Sequence, residues 1–144
     1  MSTQPIPAGC HSVTPYLTVA DTKREIDFLV NGLGGVAQEL IHRPDGKIMH
    51  AQVMLGDSLI MIGESPDATV KTTSNLYHYV PDCDATWKRA VAAGGEVVNE
   101  PADMFYGDRT GAVKDPGGNS WWIATHKEEL TTKQIEERMA AMFK

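Results

Sequence analysis

The chain has 144 residues, enough for one ordinary domain or two small half-modules that share a core. Hydrophobic residues make up 42% and charged residues 22%, which predicts a packed core rather than disorder. The net charge of −6 comes without any basic stripe, which argues against a nucleic-acid partner, and no apolar run is long enough to span a bilayer.

In chain order, residues 1–10 read as a polar, Pro-rich tail without the basic-then-apolar order of a secretion signal, so a cytoplasmic protein is expected. The two cysteines, Cys10 and Cys83, form no CxxC pair and read as free thiols. A short strand, Pro15 to Asp21, leads into a helical stretch carrying Ile26, Phe28, Leu29 and Leu33 and closed by Gly32 to Gly35. Strand-like runs follow over Val36–His42, Lys47–Leu55 and Ser58–Gly63, separated by Pro44-Asp45-Gly46 and Gly56-Asp57. The order then repeats. Leu76 to Asp82 is a second short strand, Trp87, Ala90 and Val91 mark a second helix stopped by Gly94-Gly95, and strands are expected at Glu96–Glu100, Arg109–Lys114 and Ser120–Thr125. Asp21 and Asp82 (or Asp84) are suited to cap the two helices, because a short carboxylate accepts from the free N–H groups at a helix start.

An offset of 61 residues relates the halves, matching Ala51 to Ala112, Gly56 to Gly117 and Ile62 to Ile123. The fold class expected is therefore α+β: two tandem βαβββ modules, residues 11–66 and 72–127, forming a cupped mixed sheet. A C-terminal segment, 128–144, has no counterpart in the first module. Thr131 caps a helix over 132–143 with Ile135, Met139 and Met142 or Phe143 on one face, which either covers a sheet end or packs across a dimer.

Strand-helix-three-strand repeats ending in Asp115-Pro-Gly-Gly-Asn-Ser-Trp-Trp122 resemble the vicinal oxygen chelate superfamily, the glyoxalase, bleomycin-resistance and dioxygenase fold. The strings Val13-Thr-Pro-Tyr-Leu-Thr-Val19, Pro44-Asp-Gly-Lys-Ile-Met-His-Ala51 and Tyr106-Gly-Asp-Arg109 are similar to its PhnB-like branch, over residues 11 to 143. The resemblance implies four metal-ligand positions on the inner face of the cup. In this sequence they fall at Thr14, Met61, Asn75 and Trp122, none of them a histidine or a carboxylate. A thioether and an indole N–H do not replace imidazole and carboxylate donors for a divalent cation, so no metal and no other cofactor is expected.

Strand alternation predicts what lines the cup instead. Leu17 and Val19 suit the helix-covered face, leaving Thr14, Tyr16 and Thr18 inward; the same parity turns Asn75, Tyr77, Tyr79, Met61 and Trp122 inward. His50 and Gln52 join them, and the offset of 61 carries Arg109 in as well. The expected ligand pocket is thus Thr14, Tyr16, His50, Gln52, Met61, Asn75, Tyr77, Tyr79, Arg109 and Trp122: aromatic walls with a few polar groups, as small-molecule sites have. Arg109 would pair with a ligand carboxylate or phosphate, or with Asp108, Asp103 or a backbone carbonyl; His50 is the candidate catalytic base or a histidine bonded within the sheet. His78 falls on the helix-facing parity, and His126 reads as the exit from the last strand.

Three functions remain open on these residues. One is a metal-free protein that binds a small planar organic molecule. The resembled bleomycin-resistance proteins do so in clefts at a dimer interface, which makes a homodimer the expected assembly. The second is a metal-independent isomerase or lyase with His50 as base and Arg109 as electrophile. The third is a metal-dependent enzyme with relocated ligands, for which His50 and Gln52 are the only inward pair. The modules either close a cup within one chain or exchange across a dimer.

Overall fold

The computed structural model describes residues 4–67 and 69–143. Two four-stranded mixed sheets are built on the same plan. In the first, β1 (Tyr16–Val19) runs parallel to β4 (Ser58–Glu64), which pairs antiparallel with β3 (Ile48–Leu55), and β3 with β2 (Val36–His42). In the second, β5 (Asn75–Tyr79), β8 (Ser120–His126), β7 (Asp108–Lys114) and β6 (Glu96–Asp103) repeat that order. The repeat is exact in the parallel pairs: Tyr16 lies beside Met61, and Tyr77, 61 residues later, beside Trp122.

The helices begin where the capping residues stand. The Asp21 carboxylate accepts from Arg24 N at 3.1 Å at the start of α1 (Thr22–Asp27), and that of Asp82 from Ala85 N at 3.2 Å at the start of α2 (Cys83–Ala92). α1 runs on into a π-helical turn, Phe28–Gly32. The C-terminal helix α3 (Thr132–Met142) opens on a capping box in which Thr131 and Gln134 each bond the other's backbone N–H. It buries no residue: Met139, Met142 and Phe143 are all exposed, so it does not cover a sheet end.

The packing of the helices decides the architecture. α2 lies against the π-helical turn, where a Cβ added to Gly32 would come within 3.3 Å of Ala90 and Ala93. Leu17, Val19, Phe28, Leu29, Ala51, Val53 and Ile62 from the first module join Ala90, Val113, Trp121 and Ile123 from the second in one apolar core. The helix-covered faces of both sheets therefore meet inside the molecule, and the opposite faces point outward. The cup is not closed within one chain: each module offers an open half of it. The alternation read from β1 stands, with Leu17 and Val19 buried and Tyr16 exposed.

A polar seam joins the modules beside this core. The loop Pro116–Gly118 between β7 and β8 leans on α1, where Gly117 N donates to Glu25 Oε1 at 3.0 Å. Asp115 takes Asn119 N on one oxygen and Trp121 Nε1 on the other, both at 2.8 Å. Asn119 is fully buried, and its side-chain oxygen accepts from Ser74 N and Thr72 Oγ1 on the segment that links the modules.

Candidate functional site

The outward face of the first sheet carries Tyr16, His50, Gln52 and Met61, with Thr14 just before β1. The Tyr16 ring lies over Gly63, where any Cβ would collide with it, and its hydroxyl is 3.4 Å from His50 Nδ1. The outward face of the second sheet carries Asn75, Tyr77, Tyr79 and Trp122. Eight of the ten expected pocket residues lie on strands with the expected parity, and Thr14 precedes β1, but one chain divides them between two surfaces.

Arg109 is the exception. Its guanidinium lies on the helix-covered side, with Nε 3.0 Å from Asp84 of α2 and Nη1 3.2 Å from Asp103. The cause is one extra residue in a hairpin. Gly56-Asp57 is a two-residue turn between Leu55 and Ser58, whereas Pro116, Gly117 and Gly118 lie between Asp115 and Asn119. Gly118 takes the left-handed φ of +96° that this longer turn requires. Gln52 faces Met61 but Ala112 faces Trp122, so β7 follows β3 at an offset of 60 rather than 61. A slip of one residue exchanges the two faces of a strand. Arg109 goes inward and Asp108 takes its place outside.

Asp108 is the centre of the second face, a role that the sequence reading missed. Its side chain is buried and its two oxygens accept three hydrogen bonds: from Tyr77 at 2.7 Å and Tyr79 at 2.9 Å on Oδ2, and from His126 Nδ1 at 2.7 Å on Oδ1. Burial alone would raise its pKa, but the bonds from His126, Tyr77 and Tyr79 outweigh burial and hold the carboxyl below the ordinary carboxylate value. His126, at the end of β8, has Nε2 3.0 Å from Glu129. Carboxylate oxygens only accept, so a ring that donates to both carboxylates carries two protons, and this setting favours the imidazolium. Its pKa is raised by the bonds to Asp108 first and Glu129 second. The Tyr77 hydroxyl is pushed up by desolvation and then by its contacts with Tyr106 and Asp108, and stays a donor. An Asp108→Asn substitution should let the His126 pKa fall back toward 6.5, followed by NMR of the ring protons; an unchanged titration would contradict the pairing.

Beside this cluster lies a hollow of about 400 Å³ walled by Leu76, Tyr77, Met104, Tyr106 and Trp122, with Asn75 at its rim. A second hollow of about 300 Å³ continues across Met104 and Trp122 to Thr110, Asn99 and Glu100. Met104 was absent from the sequence reading, and Tyr106 entered it only within the string Tyr106-Gly-Asp-Arg109 and not as a pocket wall; counting the hairpin residues would have exposed Asp108, but no strand alternation marks the other two. His78 is half-buried against the edge of Trp121, as its parity predicted.

The four metal positions do not fit a divalent cation. Thr14 and Met61 lie on the first face and Asn75 and Trp122 on the second, supplying a hydroxyl, a thioether, an amide and an indole. Among the described residues no three His, Cys, Asp or Glu side chains come together as a metal-holding group. His50 and Gln52 gain no third donor, and within one chain His50 and Arg109 stand on different sheets and opposite faces, so the base and electrophile of the isomerase reading are not assembled. No helix of the described residues is long and apolar enough to cross a membrane.

Two open βαβββ half-cups joined through their helices are the architecture of a glyoxalase-type fold. The chain belongs to the Glyoxalase/Bleomycin resistance protein/Dioxygenase superfamily, whose family model matches residues 10–123. An uncharacterized protein of Mycobacterium bovis is 29% identical over 141 residues, covering 90% of this chain and 93% of that protein. Two solved structures share the fold. TioX from Micromonospora sp. ML1 has a TM-score of 0.70 at 24% identity, covering 81% of this chain and 98% of that one. The fosfomycin resistance protein FosX from Mesorhizobium loti has a TM-score of 0.61 at 14% identity, covering 90% and 97%.

Proposed function

We propose that this protein binds a small planar organic molecule in a metal-free, aromatic pocket, as a cytoplasmic homodimer of the PhnB-like branch. The observation that carries the reading is the second outward face: an apolar, tyrosine- and tryptophan-walled hollow that sits where the fold elsewhere offers metal ligands. The strings Pro44-Asp-Gly-Lys47 and Tyr106-Gly-Asp-Arg109 support the branch, and the unpaired thiols Cys10 and Cys83 support a reducing compartment. The packing supports a dimer, because the faces that would close a cup point away from each other in one chain. A second copy supplies the missing half, setting one protomer's Tyr16, His50 and Gln52 opposite its partner's Trp122 face. Exposed Val36, Leu40 and Ile41 on β2, and Val97 and Val98 on β6, are apolar surface for such a contact.

The test is binding of a planar aromatic probe followed by tryptophan fluorescence, with sedimentation run alongside. Trp122→Ala should weaken binding by about tenfold or more, given about 1.5 kcal/mol or more for the lost aromatic contact. Gln52→Ala, on the other face, should weaken it too if a second copy completes the pocket. A monomer in solution with Gln52→Ala silent would remove the dimeric cup and leave only the second face as the site.

A further inference from the structure

The charge lining the second face narrows the ligand class, given the reading that this face binds a small molecule. Four π-systems gather there: Tyr77 and Tyr79, whose ring centroids are 5.2 Å apart, Tyr106, and Trp122 on the floor. Among the described residues, no Lys, Arg or His side chain lines either hollow, and the one ionisable carboxylate that does is Glu100. Behind the aromatic wall, the Asp108 carboxylate accepts hydrogen bonds from the Tyr77 and Tyr79 hydroxyls, which pushes electron density into both rings and makes their faces more negative.

The nearby cations are engaged elsewhere. His126 is held between Asp108 and Glu129. Arg109 and Arg138 line a separate groove beyond Met104, where they pair with Asp84 and Asp103 and with Glu128. Lys127 lines that same groove. Lys114 shares the outward face but sits at its hairpin end, opposite Ser120 and Glu96, and lines neither hollow. The first face, which a second copy would bring, adds a further carboxylate, Glu39, facing outward beside Gln52, and carries His50 as well.

We propose that this recess selects a cationic ligand, an aromatic ammonium or a protonated nitrogen heteroaromatic, whose charge rests on the tyrosine and tryptophan faces and is met by Glu100. Aromatic faces attract a desolvated cation through the ring quadrupole, and a carboxylate at the rim adds to that attraction without competing for the same surface. An anionic ligand meets no counter-ion in the hollows and two carboxylates near them.

The experiment compares three probes built on one ring: 3-hydroxyphenyl-trimethylammonium, its neutral carbon isostere 3-tert-butylphenol, and 3-hydroxybenzoate. Calorimetry and tryptophan fluorescence are read on the wild type, Trp122→Ala and Glu100→Gln, the last being an exposed site where folding is not at stake. The ammonium should bind about tenfold tighter than the isostere, the benzoate weakest, and Glu100→Gln should remove about half of that preference on a logarithmic scale while leaving the isostere unchanged. Equal or tighter binding of the isostere or the benzoate overturns the cation preference and leaves the aromatic pocket standing. Binding of the ammonium that survives Trp122→Ala overturns its placement here. Failure of all three probes to saturate overturns both readings.

Discussion

Replacing Glu25 by Gln should stabilise the protein at neutral pH, by about 2 kcal/mol, and flatten its stability at higher pH. Glu25 is fully buried on α1, with one carboxyl oxygen accepting from Gly117 N and the other without a partner among the hydrogen bonds of the described residues. Across the module seam stands Asp115, whose two oxygens are already taken by Asn119 N and Trp121 Nε1. Two carboxylates cannot share that space ionised. Burial first, and the nearness of Asp115 second, push Glu25 far above its ordinary value of 4.5, so it holds a proton at neutral pH. The folded state thus keeps a proton that the unfolded chain sheds above about pH 4.5. This contribution is fully present below that value and declines steadily as pH rises toward the folded pKa. A Gln side chain keeps a donor for Asp115 and an acceptor for Gly117 and titrates at no pH. Urea unfolding of both proteins between pH 5 and 9 reads the effect. Parallel stability curves would show that Glu25 is ionised in the fold. His126 has the same sign: its raised pKa contributes stability below 6.5 that is lost as pH rises through the raised value. Its ring is exposed, so the double variant Glu25→Gln with Asp108→Asn separates the two.

The second large effect is Gly117→Ala, which should cost about 3 kcal/mol and lower Tm by about 10 °C. An added Cβ would meet Val19 Cγ1 at 2.5 Å and Glu25 Oε1 at 2.8 Å. Val19 has no exposed surface and cannot retreat, and moving the loop breaks the Gly117 bond to Glu25. Gly56, the matching position 61 residues earlier, is the control. Nothing lies within 4 Å of its added Cβ, and only the left-handed φ of +59° penalises Ala, at about 1 kcal/mol. Equal losses at the two glycines in thermal melts would mean that the Gly117 loop does not lean on α1.

Much of this protein was legible before folding. Asp21 and Asp82 mark the helix starts because capping is a local bond, and the parity of β1, β5 and β8 places Tyr16, Tyr77 and Trp122 because alternation is a property of the strand. The lack of metal donors at Thr14, Met61, Asn75 and Trp122 is a matter of side-chain chemistry alone. The Arg109 reading failed because an offset that holds for β1 with β5 and for β4 with β8 was extended across a hairpin one residue longer, and parity does not survive an odd insertion.

What the sequence determined by itself is the duplicated plan, its caps, and the open-face residues of β1, β3, β4, β5 and β8, since each depends on neighbours in the chain. Tertiary structure alone decided the rest. Contact between α2 and the π-helical turn sets the two sheets back to back, so that the halves of the cup face away from each other. Contact between residues far apart in the chain makes Glu25 a buried acid beside Asp115 and draws Tyr77, Tyr79 and His126 around Asp108. Burial and long-range hydrogen bonds, unlike caps and parity, leave no periodic trace in the sequence.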